Sequence, residues 1–214
     1  MGYFSFYRYY ATKRWWSFQA DKNQTDPYQS EEEFRKKLIE KYEVYLDNLL
    51  EYVSGNGRCI LAMDAMNGKN WRKAIYPAYK SNRPQNPDIF AYLQFVFTEF
   101  IPSYVEKRPQ IACLRREGME ADDLIAGSVF SLLEKNSEAD ICIIASDMDY
   151  LQLVEKNNNV EIRDMNFKLL SDKELVGYNY LVKKIVYGDP SDNITSIFRG
   201  KGCSAKRKEL VERI

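Results

Sequence analysis

The chain has no histidine among its 214 residues. That absence removes the Ser-His and Cys-His nucleophile systems, histidine general bases and most zinc enzymes together, because each needs an imidazole as base or ligand. Net charge is missing too. The 31 lysines and arginines balance 31 aspartates and glutamates, so no global basic field draws in a polyanion, and such a partner must be held by local patches. Cysteine is sparse: Cys59, Cys113, Cys142 and Cys203 lack the paired spacing of a zinc site, and three lie in apolar runs. Reduced, buried thiols in an intracellular, reducing compartment are the expectation. No apolar run approaches the roughly 20 residues that span a bilayer, and Met1-Gly-Tyr-Phe-Ser lacks the charged-then-apolar layout of a secretory signal. Carboxylates, lysines, arginines and bound cations remain for chemistry.

The carboxylates fall into four short words: Asp64, Glu120-Ala-Asp122-Asp123, Asp147-Met-Asp149 and Asp189-Pro-Ser-Asp192. In Cys59-Ile-Leu-Ala-Met-Asp64 and Ile141-Cys-Ile-Ile-Ala-Ser-Asp147, a run suited to a buried strand ends on a carboxylate. Open parallel sheets place ligand sites at that edge. Carboxylates gathered there repel one another unless hard cations neutralise them, so the pattern predicts magnesium or manganese rather than a salt-bridge network. Each word alone has a plainer use. A carboxylate near a helix N-terminus stabilises the dipole by roughly 0.3–1 kcal/mol, and Asp147 or Asp149 could cap the next helix. Together they suit two divalent ions roughly 4 Å apart, working on a phosphodiester without a protein nucleophile. Arg72, Lys73, Lys80 and Arg83 come after Asp64 in an irregular segment and could supply cations to the scissile phosphate and its neighbours.

Periodicity sets the frame around these words. Phe34, Leu38, Tyr42, Tyr45, Leu46 and Leu49 form a helical stripe over 31–52, with Ser30 and Glu33 placed as a capping box. Strands are expected at 58–63, 109–114, 140–145 and 160–164, and helices at 88–104, 121–134 and about 172–187. The alternation predicts an α/β fold with a doubly wound, mainly parallel central sheet flanked by helices. The aromatics of 4–18, with Arg8, Lys13 and Arg14, suit either core packing or a stacking surface. Near the end, Arg199, Lys201, Lys206, Arg207, Lys208 and Arg213 surround Gly200 and Gly202, a texture that fits phosphate binding or a solvated terminus equally.

The order Asp64, Trp71-Arg72-Lys73, Tyr76-Pro-Ala-Tyr-Lys80-Ser-Asn-Arg83, Glu120-Ala-Asp122-Asp123, Ser146-Asp147-Met-Asp149-Tyr-Leu-Gln-Leu and Gly188-Asp189-Pro-Ser-Asp192-Asn193 resembles the structure-specific 5′ nuclease superfamily. That group includes flap endonucleases, phage 5′-3′ exonucleases and the 5′ nuclease domains of bacterial DNA polymerases. The likeness runs from 58 to about 194 and is nearest in style to versions from phages and large DNA viruses. It implies a PIN-like α/β catalytic domain over 1–187, and over 188–214 the start of a helix-three-turn-helix DNA-binding element. It implies two magnesium or manganese ions, with Asp64, Glu120 and Asp122 in one group, Asp147, Asp149 and Asp192 in the other, and Asp123 and Asp189 in support. Lys80 and Arg83 would stand at the scissile phosphate, with Arg72 and Lys73 along the same approach, under an arch between Lys69 and about Asp88. Arg199, Lys201 and Lys206 would hold duplex phosphates, with K+ at the same element. The implied partner is DNA bearing a 5′ flap, nick or primer, bound by a monomer without a membrane, in replication or repair.

Two departures accompany the likeness. Family members open with an apolar strand ending in Asp-Gly-Ser or Asp-Gly-Asn; Met1 to Arg8 resembles the segment just after that aspartate, so a first strand and one metal ligand are expected to be missing. Arg199-Gly-Lys-Gly-Cys-Ser-Ala-Lys keeps only part of the family's glycine-rich loop. The missing first strand leaves a competing reading, a non-catalytic DNA-binding member of the same fold; a third, a PIN-like ribonuclease, has motif order against it.

Overall fold

The computed structural model describes residues 9–13, 31–53, 57–65, 69–83, 87–156, 158–171, 175–198 and 203–213. The chain forms two compact units that divide at Gly68/Lys69, Pro84/Gln85 and Ala121/Asp122. The first is built on α1 (Glu31–Tyr52), β1 (Cys59–Ala62), a helical run from α2 (Pro87–Phe95) through a wide turn at Val96–Phe100 into α3 (Ile101–Glu106), and β2 (Ile111–Leu114). All six residues of the expected α1 stripe are buried. They pack with Ile89, Val96, Phe97, Phe100, Ile101 and Tyr104 in an aromatic-rich core, where Tyr42 meets Phe100 at 5.6 Å between ring centroids and Phe34 meets Tyr92 at 5.2 Å. Tyr9, from the N-terminal aromatic segment, is buried and meets the Tyr92 ring at 5.0 Å. Core packing therefore accounts for that ring; Ser30, Arg8, Arg14 and the rest of 14–30 lie outside the described residues.

The expected helix over 88–104 is widened in its middle. The Ile101 N–H reaches back to Val96 O, one residue farther than an α-helix requires. Pro102 comes next, lacks an N–H and crowds the carbonyl four residues back, so the extra residue accommodates its ring.

The second unit holds α4 (Trp71–Ile75), α5 (Ala121–Lys135, from its second residue), β3 (Ile141–Ile144), a 3₁₀ turn at Met148–Leu153, β4 (Val160–Arg163), α6 (Gly177–Tyr187), β5 (Gly188–Asp189), β6 (Ile194–Thr195) and α7 (Cys203–Glu212). Its core joins Val129, Ile143, Tyr150, Leu151, Leu153, Val160 and Ile162. The strands alternate with helices as expected, and the four longer strands pair in parallel. Among the described residues, β1 pairs in parallel with β2, β3 pairs in parallel with β4, and β5 and β6 form a short antiparallel hairpin. Strand composition fixes which segments are extended, whereas partners are chosen by contacts far apart in sequence. The described part of 188–214 belongs to the second unit.

The four cysteines are unbridged. No helix among the described residues is long and apolar enough to cross a membrane. Ile162 is 0% exposed at the centre of the second core. Ile162→Ala should lower stability by roughly 2–5 kcal/mol, the usual cost of truncating a fully buried aliphatic side chain. Urea unfolding followed by circular dichroism measures it, and an unchanged midpoint would contradict this packing.

Candidate nuclease site

Within the second unit, a cavity of about 500 Å³ is lined by Asp122, Asp123, Asp149, Asp189 and Asp192, by Arg72 and Lys184, and by an apolar wall that includes Trp71, Ile75, Leu181 and Ile185. Carboxylates of three of the acidic words thus line one cavity.

The helices and turns explain the convergence. Asp122 and Asp123 sit in the first turn of α5, where carboxylates complement the helix dipole, and point to different partners. The Tyr150 hydroxyl donates to Asp122 Oδ1 at 2.5 Å. Arg72 grips Asp123 with both arms of its guanidinium, Nη1 to Oδ2 and Nη2 to Oδ1 at 2.8 Å each, while Trp71 Nε1 donates to the same carboxylate at 3.2 Å. The Arg72 guanidinium also lies 4.6 Å from the Trp71 ring centroid, so stacking and bidentate pairing fix it together. Asp147 caps the 3₁₀ turn by accepting the Asp149 N–H at 2.9 Å. The capping use foreseen for that word is therefore realised, and Asp147 itself stays exposed.

Gly188 places the last word. It ends α6 at φ +77°, its N–H bonds Lys184 O, and a Cβ there would stand 2.4 Å from Ser196 N and 2.7 Å from Ile194 O. Only glycine tolerates both the conformation and the close hairpin. Asp189 is the next residue, and its carboxylate accepts from Ser191 N at 3.0 Å, Ser191 Oγ at 2.6 Å and Lys184 Nζ at 2.6 Å. Burial disfavours its charge, but Lys184 and Ser191 outweigh that and hold its pKa down at about 2. Lys184 also reaches Asp149 Oδ1 at 2.7 Å. Burial opposes the ammonium charge as well, yet the two carboxylates more than compensate and raise its pKa above the ordinary lysine range.

The cationic segment docks on this turn. Asn193, left-handed at φ 60°, donates from Nδ2 to Ala78 O at 3.0 Å and Ser81 Oγ at 3.1 Å. The Tyr76 hydroxyl donates to Asn193 O at 3.0 Å, Asn82 Nδ2 to Pro190 O at 3.1 Å, and the Lys80 N–H to Asp192 O at 3.1 Å. Arg83 then pairs with Asp192 at 2.7 Å, and the Lys80 ammonium stands 4.0 Å from the same carboxylate. Lys73 is exposed on α4. The 69–83 stretch is thus a five-residue helix and a series of turns held against the acidic turn.

The first unit carries the other two predicted carboxylates. Asp64 Oδ1 accepts the Ala121 N–H at 2.9 Å and so satisfies one free amide at the start of α5, while Glu120 is half-buried just before it. At the C-terminus Lys206 is exposed on α7, and Arg199 and Lys201 lie outside the described residues.

In the folded chain these carboxylates also form ion pairs with the chain's own cations: Arg72 with Asp123, Lys184 with Asp149 and Asp189, Arg83 and Lys80 with Asp192. Among the described residues no three acidic side chains converge to hold an ion in this arrangement. The donor chemistry nevertheless suits magnesium or manganese, since these cations take carboxylate oxygens and the cavity offers them on its lining. Sequence reading missed Lys184 and gave no role to Tyr150 and Asn193, which stand within the quoted motifs. Lys184 lies five residues before Asp189 on a helix that ends there, a spacing that could have signalled it.

Residues 6–185 match the family described as 5′-3′ exonuclease, N-terminal resolvase-like domain. The chain is 30% identical over 158 residues to a 5′-3′ exonuclease of Buchnera aphidicola subsp. Acyrthosiphon pisum, covering 71% of this chain and 52% of that protein. It is 35% identical over 156 residues to DNA polymerase I of Caldicellulosiruptor bescii, covering 68% and 17% respectively. The fold is similar to that of a phage T5 protein co-crystallised with metal ions, at TM-score 0.61 and 21% identity, covering 92% of this chain and 71% of the other. T5 5′-exonuclease with bound zinc matches at TM-score 0.59 and 21% identity, covering 82% and 66%. These likenesses show the resolvase-like α/β fold. The chain spans about half the length of the curated 5′-3′ exonucleases it matches.

Arg72→Ala leaves Asp123 without its bidentate partner and is expected to cost about 1–3 kcal/mol. Arg72→Lys should recover only part of that, because an ammonium cannot make two parallel bonds. Urea midpoints of the three proteins check it; a fully stable lysine variant would mean that charge alone matters.

Proposed function

The chain belongs to the 5′-3′ exonuclease family with an N-terminal resolvase-like domain, and from that membership we propose that it is a divalent-metal-dependent 5′ nuclease. Its substrate in this reading is DNA with a free 5′ end, flap, nick or primer, cut as a monomer during replication or repair in a reducing compartment. The observation that carries the reading is the cavity in which five of the motif carboxylates meet the cations of the 69–83 segment.

Asp147, Asp149 and Asp192 are the proposed donors for one ion, with Asp123 and Asp189 in support, and Asp64, Glu120 and Asp122 are proposed to serve the other. A bound divalent cation supplies Lewis acidity and charge neutralisation at the scissile phosphate. The chain's own groups do the rest. Lys80 and Arg83 share Asp192 as partner, and Arg83, 53% exposed, can exchange that carboxylate for a phosphoryl oxygen while Lys80 adds its charge beside it. Their charge then opposes the negative charge that builds there during hydrolysis. The Asn193 tethers keep the two cations at the cavity while their side chains change partner. The exposed ring of Trp71 and the side chain of Ile75, 75% exposed, give the cavity an apolar rim on which a base can stack. Arg199, Lys201 and Lys206 are proposed to hold duplex phosphates, with K+ at the same element.

A labelled 5′-flap duplex incubated with and without magnesium tests the reading. Cleavage should require the metal, disappear in Asp147→Asn, and fall by roughly 10²–10³ in kcat for Lys80→Ala or Arg83→Ala. Flap binding without products would favour the non-catalytic reading, and preferential cleavage of single-stranded RNA would favour a ribonuclease.

A further inference from the structure

Lys184 differs from the other cations paired with the cavity's carboxylates. Arg72 is locked by two parallel bonds and a stacked ring, and Arg83 and Lys80 share one carboxylate. Lys184 alone among these joins two acidic words, with Nζ 2.7 Å from Asp149 Oδ1 and 2.6 Å from Asp189 Oδ2. Its backbone is fixed, because its carbonyl accepts the Gly188 N–H at the end of α6. The four-carbon side chain is free to change rotamer, and its ammonium is a compact point charge.

An ammonium bonded to both carboxylates occupies the space that a hard cation bridging the same two oxygens would need. Two cations cannot share it, since at such separations their repulsion cancels what each gains from the carboxylates. Without either one, Asp149 and Asp189 would face each other uncompensated. From this geometry we infer that Lys184 is the resident counter-cation of the Asp149–Asp189 pair and competes with the divalent ion there, so that an ion enters as the ammonium swings out. This inference rests on the proposed metal-site role of Asp149, with Asp189 in support. It gives the chain a metal-free state whose acidic turn is already neutralised, and it makes Lys184 a positioning residue that sets how readily the ion binds.

Binding of Mn²⁺, followed by electron paramagnetic resonance and by calorimetry, tests the competition on the wild-type chain and on Lys184→Met, Lys184→Gln and Lys184→Arg. The methionine and glutamine variants should bind an ion about tenfold or more tightly than wild type, and the arginine variant should bind much as wild type does. In metal-free buffer the methionine variant should melt at a lower temperature, and added Mn²⁺ should raise its melting point by more than that of wild type. Should the methionine variant fail to fold, the glutamine variant decides, because its amide keeps one donor without the charge. Equal Mn²⁺ affinity in wild type and Lys184→Gln overturns the competition while leaving metal binding intact. Absence of Mn²⁺ binding from every variant and from wild type overturns both.

Discussion

Mutual repulsion among carboxylates is the constraint on which the second unit depends. Asp122, Asp123, Asp149, Asp189 and Asp192 line one cavity, and ionised groups so placed are unfavourable unless each finds a counter-charge or a donor. The fold answers with its own side chains. Tyr150 serves Asp122, Arg72 serves Asp123, Lys184 serves Asp149 and Asp189 together, and Arg83 serves Asp192. Apart from the bidentate Arg72–Asp123 pair, partly exposed pairs of this kind contribute little individually to stability. Their collective effect is to neutralise an acidic surface.

The same pairs couple segments far apart in sequence. The 69–83 segment has little hydrophobic reason to hold one conformation, since only Tyr79 within it is buried. It is ordered instead by hydrogen bonds to the turn at 189–193, where Asn193 spends both its side-chain amide and its backbone carbonyl on that segment. Gly188 makes the turn possible by ending α6 in a conformation closed to other residues. Acidic and cationic words are therefore parts of one small structure. Under the proposed nuclease reading this matters, because the groups that neutralise a phosphate must be placed to within fractions of an ångström relative to those that hold ions.

The first unit contributes stability of a more ordinary kind. Its helix α1 buries one complete stripe against an aromatic-rich core, and the wide turn before Pro102 keeps the second helical run continuous despite a residue that cannot donate. Asp64, which lies just past β1, caps the helix that begins the next word. A residue marked for chemistry by its position thus also has a structural bond in the metal-free chain, and loss of its carboxylate would affect both.

Much of this was legible in the chain itself. The stripe from Phe34 to Leu49, the strands at Cys59, Ile111, Ile141 and Val160, and the helix at Ala121 arise from local periodicity, which depends only on neighbouring residues. The acidic words, Lys80 and Arg83, and the family to which they belong were readable from motif order. The strand register was not, because pairing depends on contacts distant in sequence. Nor was the choice of partner for each carboxylate. Sequence lists the charges, but only the folded chain decides which ammonium or guanidinium comes within 3 Å of which oxygen, and that distance turned an acidic cluster into a salt-bridged cavity with Lys184 at its centre.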